Sequence, residues 1–173
     1  MNKRLFLVLV CVIAFCSLAQ AQTASGTLNV SGTIQGSISL VFDSDGSGPA
    51  LTGTGTSTAT LPLGTVGVGV TPGSGVTITP GTGNYTVSAP FDVKVAVTNS
   101  SSANFKLTAG LQTADATNTW KIGSTTITSG TTPTIIDTGT YGSDVSQTLS
   151  VQIPTSSTAT SISNSINFVA TAN

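Results

Sequence analysis

The stretch Thr27 to Phe42, TLNVSGTIQGSISLVF, alternates along its length. Leu28, Val30, Ile34, Ile38, Leu40 and Phe42 take even positions, with mostly Asn, Ser, Thr and Gln between them. Successive side chains of a strand point to opposite faces, so this pattern predicts extended chain with one apolar face. At 3.3 Å per residue it would span about 53 Å, roughly three times an ordinary strand. The excess length predicts a bend at Gly32 and Gly36, or a division of its two halves between two sheets, in one molecule or in two. We place the division near Gly32 to Gly36, with Leu28, Val30 and Ile34 as a face offered to a neighbour. Ile38, Leu40 and Phe42 are assigned to the home core.

Shorter alternating runs follow, separated by clusters of Gly, Pro, Asn and Ser. Leu61 to Val66 reads as a short edge strand carrying Pro62, and Val76 to Ile78 as a weak one. A stronger pair of runs lies on either side of Pro90, Tyr85 and Val87 alternating before it and Phe91, Val93, Val95 and Val97 after it. Asn99 to Ser102 predicts a turn into a hairpin partner strand carrying Phe105, Leu107 and Ala109. A small hairpin is expected at Trp120 to Ile122 and Thr125 to Thr128, around Gly123-Ser124. Thr134 to Ile136 is a weaker candidate. Leu149, Val151 and Ile153 form a strand ended by Pro154, and Ile166, Phe168 and Ala170 form the last.

Seven to nine short strands at this spacing, in a chain rich in Thr, Ser, Val, Ile and Gly, predict an all-β sandwich. The expected core is Ile38, Leu40, Phe42, Leu63, Val93, Val95, Val97, Phe105, Leu107, Trp120, Leu149, Val151, Ile153, Ile166 and Phe168.

The N-terminus carries a different signal. Lys3 and Arg4 precede the apolar run Leu5 to Leu18, and Ala19-Gln20-Ala21 is an A-x-A cleavage site. This is the layout of a secretory signal peptide over residues 1–21, too short to span a bilayer comfortably. The expected products are a candidate donor extension at 22–36 and a sandwich domain at 37–173. That domain is placed in the periplasm, at the cell surface or outside the cell, with no membrane span after cleavage.

Charge and composition then narrow the chemistry. Both cysteines, Cys11 and Cys16, fall in the leader, and the chain has no His and no Glu. Beyond residue 21 stand three lysines (Lys94, Lys106, Lys121) and six aspartates (Asp43, Asp45, Asp92, Asp115, Asp137, Asp144), a net charge of −3. Three scattered lysines against six aspartates make no basic patch to neutralise phosphates, which argues against nucleic acid. General bases and nucleophiles are too few and too scattered to suggest an enzyme, and no motif calls for a cofactor.

Asp43-Ser44-Asp45-Gly46-Ser47-Gly48 has the alternating oxygens and glycine of a calcium loop's start, which makes Asp43 and Asp45 the candidate metal ligands. The late bidentate Glu of such a loop is missing, and an exposed turn explains the same residues. Thr52, Thr54, Thr56, Thr58 and Thr60 would align five hydroxyls if extended, as ice-binding surfaces do, though without a repeat. Trp120, Tyr85 and Tyr141 offer sugar-stacking rings, with core packing the simpler expectation. Asn29, Asn84 and Asn99 head N-x-S/T sequons, expected by chance in so Ser/Thr-rich a chain.

The leader, the alternating stretch Leu28 to Phe42, the step Leu63-Gly64-Thr65-Val66 and the terminal strand SNSINFVATAN (Ser163 to Asn173) together resemble spore coat protein U-like domains and the related chaperone–usher pilins. One departure is the disulfide that many such pilins carry near the first strand, for which this chain has no cysteines. The resemblance implies an immunoglobulin-like (Greek-key) sandwich lacking its last strand. A periplasmic chaperone would fill the gap first, and later the N-terminal extension of the next subunit, delivered through an outer-membrane usher. The function expected is that of a non-enzymatic fibre or coat subunit in adhesion or biofilm, a homopolymer built by donor-strand exchange through Leu28, Val30 and Ile34. The alternative is a self-complete monomeric sandwich that binds a surface ligand such as a glycan.

Overall fold

The computed structural model describes residues 27–130, 133–158 and 161–173. The leader lies outside them. Two units divide the chain, Met1–Thr33 and Ile34–Asn173. Of the first, residues 27–33 are described, and they carry no strand. The second is an all-β sandwich of two antiparallel sheets.

Nine strands are present among the described residues: β1 (Ser37–Asp43), β2 (Thr77–Pro80), β3 (Asn84–Thr98), β4 (Asn104–Leu111), β5 (Thr119–Ile122), β6 (Thr125–Ile127), β7 (Thr134–Thr140), β8 (Asp144–Pro154) and β9 (Ile166–Ala172). The larger sheet has the order β1-β3-β8-β5-β6, with β2 also pairing β3, and the smaller has the order β7-β4-β9. β3 is the spine of the larger sheet. Its inward row, Val87, Ala89, Phe91, Val93 and Val95, is buried throughout, as the period of two requires.

Pro90 does not divide β3. One edge of β3 pairs with β8 along its length, while the other is shared, β2 taking Tyr85 to Ser88 and β1 taking Asp92 to Thr98. Pro90 sits opposite the break between β2 and β1, where that edge has no ladder to maintain. Gly48 packs its backbone onto the Pro90 carbonyl there, and Gly75 lies against Gly48 with φ +75°. A Cβ at either position would collide with backbone, so two loops close over this break only because both residues are glycine.

Several expectations are corrected. The strand after Asn99–Ser102 is not a hairpin partner of β3: β4 joins the other sheet, between β7 and β9. A turn cue marks where the chain reverses, but not which sheet it enters. Leu61 to Val66 forms no strand; Leu61, Leu63 and Val66 pack against the core from a loop. Thr134 to Ile136 does belong to a strand, which bulges between Leu107 and Thr108 of its partner.

The core lies between the sheets. Val93, Val95, Phe105, Leu107, Trp120, Leu149, Val151 and Ile153 are buried as expected, joined by Val87, Ile122, Ile127 and Leu111. Leu40, Phe42, Leu63, Ile166 and Phe168 are only half-buried against it. Val97 is half-buried too, and Ile38 is exposed rather than core. These shortfalls concentrate on β1 and β9, and the reason is topological.

Candidate functional site

β1 and β9 are edge strands of different sheets, and they face each other without hydrogen-bonding. β1 presents Leu40 and Phe42, and β9 presents Ile166, Phe168 and Ala170, all half-buried. One end of this flank is closed by rings. Phe168 meets Phe42 edge-on at a centroid distance of 5.1 Å and Phe91 at 5.9 Å, with Phe42 and Phe91 at 6.3 Å. Such tilted and edge-on contacts are the favoured aromatic geometries. The other end is open. A cleft of about 400 Å³ lies there, lined by Gly36, Ser37, Ile38, Val97 to Ser101 and Ala172. The start of β1 therefore lies beside the end of β9, and the two strands run antiparallel across the gap.

The backbone edges along this flank differ. On β1, Phe42 donates to the Thr56 carbonyl at 2.9 Å and accepts from Gly55 N at 2.7 Å. By the period of two, Leu40 and Ile38 direct their N–H and C=O to that same edge, and among the described residues no ladder partner meets them there. On β9, one edge is taken by β4 from Ile166 to Ala172, and no described strand pairs with the other. The result is two open edges lined by apolar side chains.

Leu28, Val30 and Ile34 are 87%, 86% and 80% exposed, respectively. No charged residue occurs from Thr27 to Phe42. At the head of β1, Gly36 packs so closely on the Thr98 and Asn99 carbonyls that a Cβ would lie 2.7 Å from Asn99 O. Asn99, itself left-handed at φ 53°, donates through Nδ2 to the Gln35 carbonyl at 3.4 Å.

Asp43 and Asp45 do converge, and with partners the spacing did not reveal. Asp43 stands opposite Asp92 in the β1–β3 register, and Lys94 is paired with Asp144 at 3.5 Å. Asp45 accepts from Ser47 N at 2.7 Å, Ser47 Oγ at 2.6 Å and Ser146 Oγ at 2.8 Å. The Ser47 hydrogen bonds, with that from Ser146, hold the Asp45 carboxyl down at about 2. Asp92 is pushed up, first by burial and then by the charges of Asp45, Asp144 and Asp43, and it is hydrogen-bonded to Asp45. Only strand register brings these groups together. Among the described residues no group of three or more His, Cys, Asp or Glu is placed to hold a metal ion. Asp45 Oδ1 is taken by Ser47 of its own loop and Oδ2 by Ser146 of β8.

The threonine row is not extended. Thr52 pairs with Thr60, Thr56 bridges Phe42, and Thr56 Oγ1 lies 2.7 Å from both the Gly53 and Thr58 carbonyls. The hydroxyls stitch a compact loop and form no flat array. Trp120 is buried, its indole N–H donating to Asp115 Oδ2 at 2.7 Å, and Tyr141 packs on Phe105 at 5.8 Å. Neither offers a stacking platform. Asn84 turns its amide to the Thr82 carbonyl. No described helix is long and apolar enough to cross a membrane.

No family model, no curated protein and no solved structure matches this chain.

Proposed function

We propose that this protein is a non-enzymatic structural subunit of a bacterial surface fibre or coat that polymerises by strand addition. The fold is read as an immunoglobulin-like sandwich lacking its last strand, with the gap between β1 and β9 as the acceptor. The observation that carries this reading is the open flank. Half-buried Leu40, Phe42, Ile166, Phe168 and Ala170 lie between two strand edges that no described strand fills. Exposed Leu28, Val30 and Ile34, two or four residues apart, form a matching apolar face.

A strand added in the gap gains main-chain hydrogen bonds from the edges and register from alternate side chains. Because donor and acceptor lie at different places on one chain, the contact is head-to-tail and propagates into a fibre. Secretion through the periplasm, a chaperone that protects the flank and an usher that exports the subunit belong to the same proposal. They rest on the resemblance to coat U-like domains and pilins.

The test compares the secreted full chain with a form lacking Gln22 to Thr33. Electron microscopy and size-exclusion should find fibres for the former and a folded monomer for the latter. Fibres from the truncated form would refute strand exchange. A monodisperse full chain that never polymerises would favour the monomeric ligand-binding alternative.

A further inference from the structure

We propose that the outer face of the smaller sheet docks a second copy of this chain, received on the acidic outer face of that copy's larger sheet. This goes beyond strand addition, and rests on that reading only for the row of subunits that multiplies a weak contact.

Register defines the docking face. Phe105, Leu107 and Ala109 of β4 are buried between the sheets, so Lys106 and Thr108 alternate with them and point outward. Thr108 stands opposite Ile135 on β7 and Val169 on β9, and Lys106 stands opposite Thr138 and Thr171. Directly opposite residues share a face of the sheet. One outward row is therefore Ile135, Thr108 and Val169, and the next is Thr138, Lys106 and Thr171. Ile135 is 54% exposed and Val169 46%. Single exposed aliphatic residues are ordinary, but two in one row beside a cation form a patch.

Charge identifies the occupant. Lys94 with Asp144 is the one ion pair among the described residues, so Lys106 has no carboxylate of its own. Two copies meeting through this same face would bring lysine towards lysine, which disfavours a symmetric pairing. The outer face of the larger sheet has the opposite sign. Asp43 and Asp92 stand side by side across β1 and β3, and Asp45 is held at the same corner by Ser146. With Lys94 committed to Asp144, these three carboxylates have no cation among the described residues. Like charges directly opposite on paired strands are destabilising, so an arriving lysine relieves a repulsion already present in the monomer. Apolar outward positions lie close by, Val41 opposite Lys94 and Ala96 opposite Ser39. Lys121, the remaining lysine, is on β5, which β8 separates from β3.

The two faces are on opposite sides of the sandwich, so the contact is head-to-tail and does not close. Its footprint is small. Three strands of about seven residues present roughly 330 Å² at ordinary strand spacing and rise. A stable complex buries about 800 Å² on each partner. One subunit on another is therefore weak. Subunits fixed in a row repeat the contact many times, and the repeats act together. The surface bundles fibres side by side while leaving lone subunits apart.

The experiment images fibres of the full secreted chain by electron microscopy and measures the fraction pelleted at low speed. Bundling at low salt should fall several-fold at about 1 M salt, where the screening length is about 3 Å. Lys106→Glu and Asp43→Lys should each lower it several-fold without shortening the fibres, and the double variant should regain it. Val169→Ser should lower it independently of charge. Bundling indifferent to Lys106→Glu or to Val169→Ser would overturn the proposal. Bundling lost in Lys106→Glu and not regained with Asp43→Lys would also overturn it, assigning Lys106 to another anion such as an acidic glycan. Fibres that lie singly at low salt would overturn the docking face and leave strand addition standing. A chain that makes no fibres would overturn strand addition, and sedimentation of concentrated monomer then decides the docking face. Salt-sensitive self-association lost in Lys106→Glu would uphold it, and absence of self-association would overturn it.

Discussion

Gln147 on β8 donates through Nε2 to Asp137 Oδ2 on β7, 2.8 Å away, joining the two sheets by a side-chain hydrogen bond. Gln147 stands in the inward row with Leu149, Val151 and Ile153, and it is the one buried polar residue among the described residues. Asp137 reaches it because the bulge opposite Leu107 and Thr108 leaves both Ile136 and Asp137 half-buried. Hydrogen bonds to a charged partner are worth more than neutral ones, and a buried carboxylate stripped of its donor loses solvation it cannot recover. Gln147→Leu is therefore expected to destabilise the domain by about 1–3 kcal/mol in urea unfolding. Combining it with Asp137→Leu should recover part of that loss, because both polar groups are then gone.

Asp92 makes the opposite prediction. Its carboxyl is raised by burial and by Asp45, Asp144 and Asp43, so the folded chain holds this proton more tightly than the unfolded chain does. Its contribution to stability is full below the unfolded value and declines as pH rises through the folded one. Asp92→Asn should accordingly raise Tm at pH 7 and leave it unchanged at pH 3, where the native side chain is already neutral. Thermal unfolding at the two pH values decides it.

Asp115 titrates the other way. Burial pushes its carboxyl up, but bonds from Asn118 N, the Trp120 indole, the Asn118 amide and Thr117 N outweigh it and hold the carboxyl at about 2. A depressed value means stability that is present above the unfolded range near 4 and lost as pH falls toward 2. Trp120 is the single tryptophan, so its fluorescence reports the loss directly. Asp115→Ala should remove this acid dependence and cost about 1–3 kcal/mol at neutral pH, since it orphans a buried indole N–H.

Phe168→Ala tests the closed end of the flank. The substitution removes edge-on contacts with both Phe42 and Phe91. Phe168 is half-buried, so the expected loss lies at or below the lower end of the about 3–5 kcal/mol typical of core phenylalanine. A fibre assembled through this flank should dissociate at lower denaturant than wild type.

Much of the larger sheet was legible from residues alone. The period-two rows of β3 and β8 are continuous, and each strand buries one face between the sheets while the other is turned outward, so alternation survives in the sequence. Val93, Val95, Leu149, Val151 and Ile153 are buried for that reason. Pro90 was misleading because its tolerance depends on which strands lie beside it, which no local pattern records.

Residues around the flank were legible only in part. The alternation of Leu28, Val30, Ile34, Ile38, Leu40 and Phe42 is set by the chain, as is the shortage of groups for acid–base chemistry. Periodicity also places Ile166, Phe168 and Ala170 on one face of the last strand. Tertiary structure decided that β4 crosses to the other sheet and takes β9 as its partner, leaving β1 and β9 as facing edges. It also decided that Asp43, Asp45, Asp92 and Asp144 share one corner, through pairing across strands far apart in the chain. Side-chain alternation is a local property that each segment carries alone. Strand order and register depend on which distant segments bury each other's faces, and only the folded chain settles that choice.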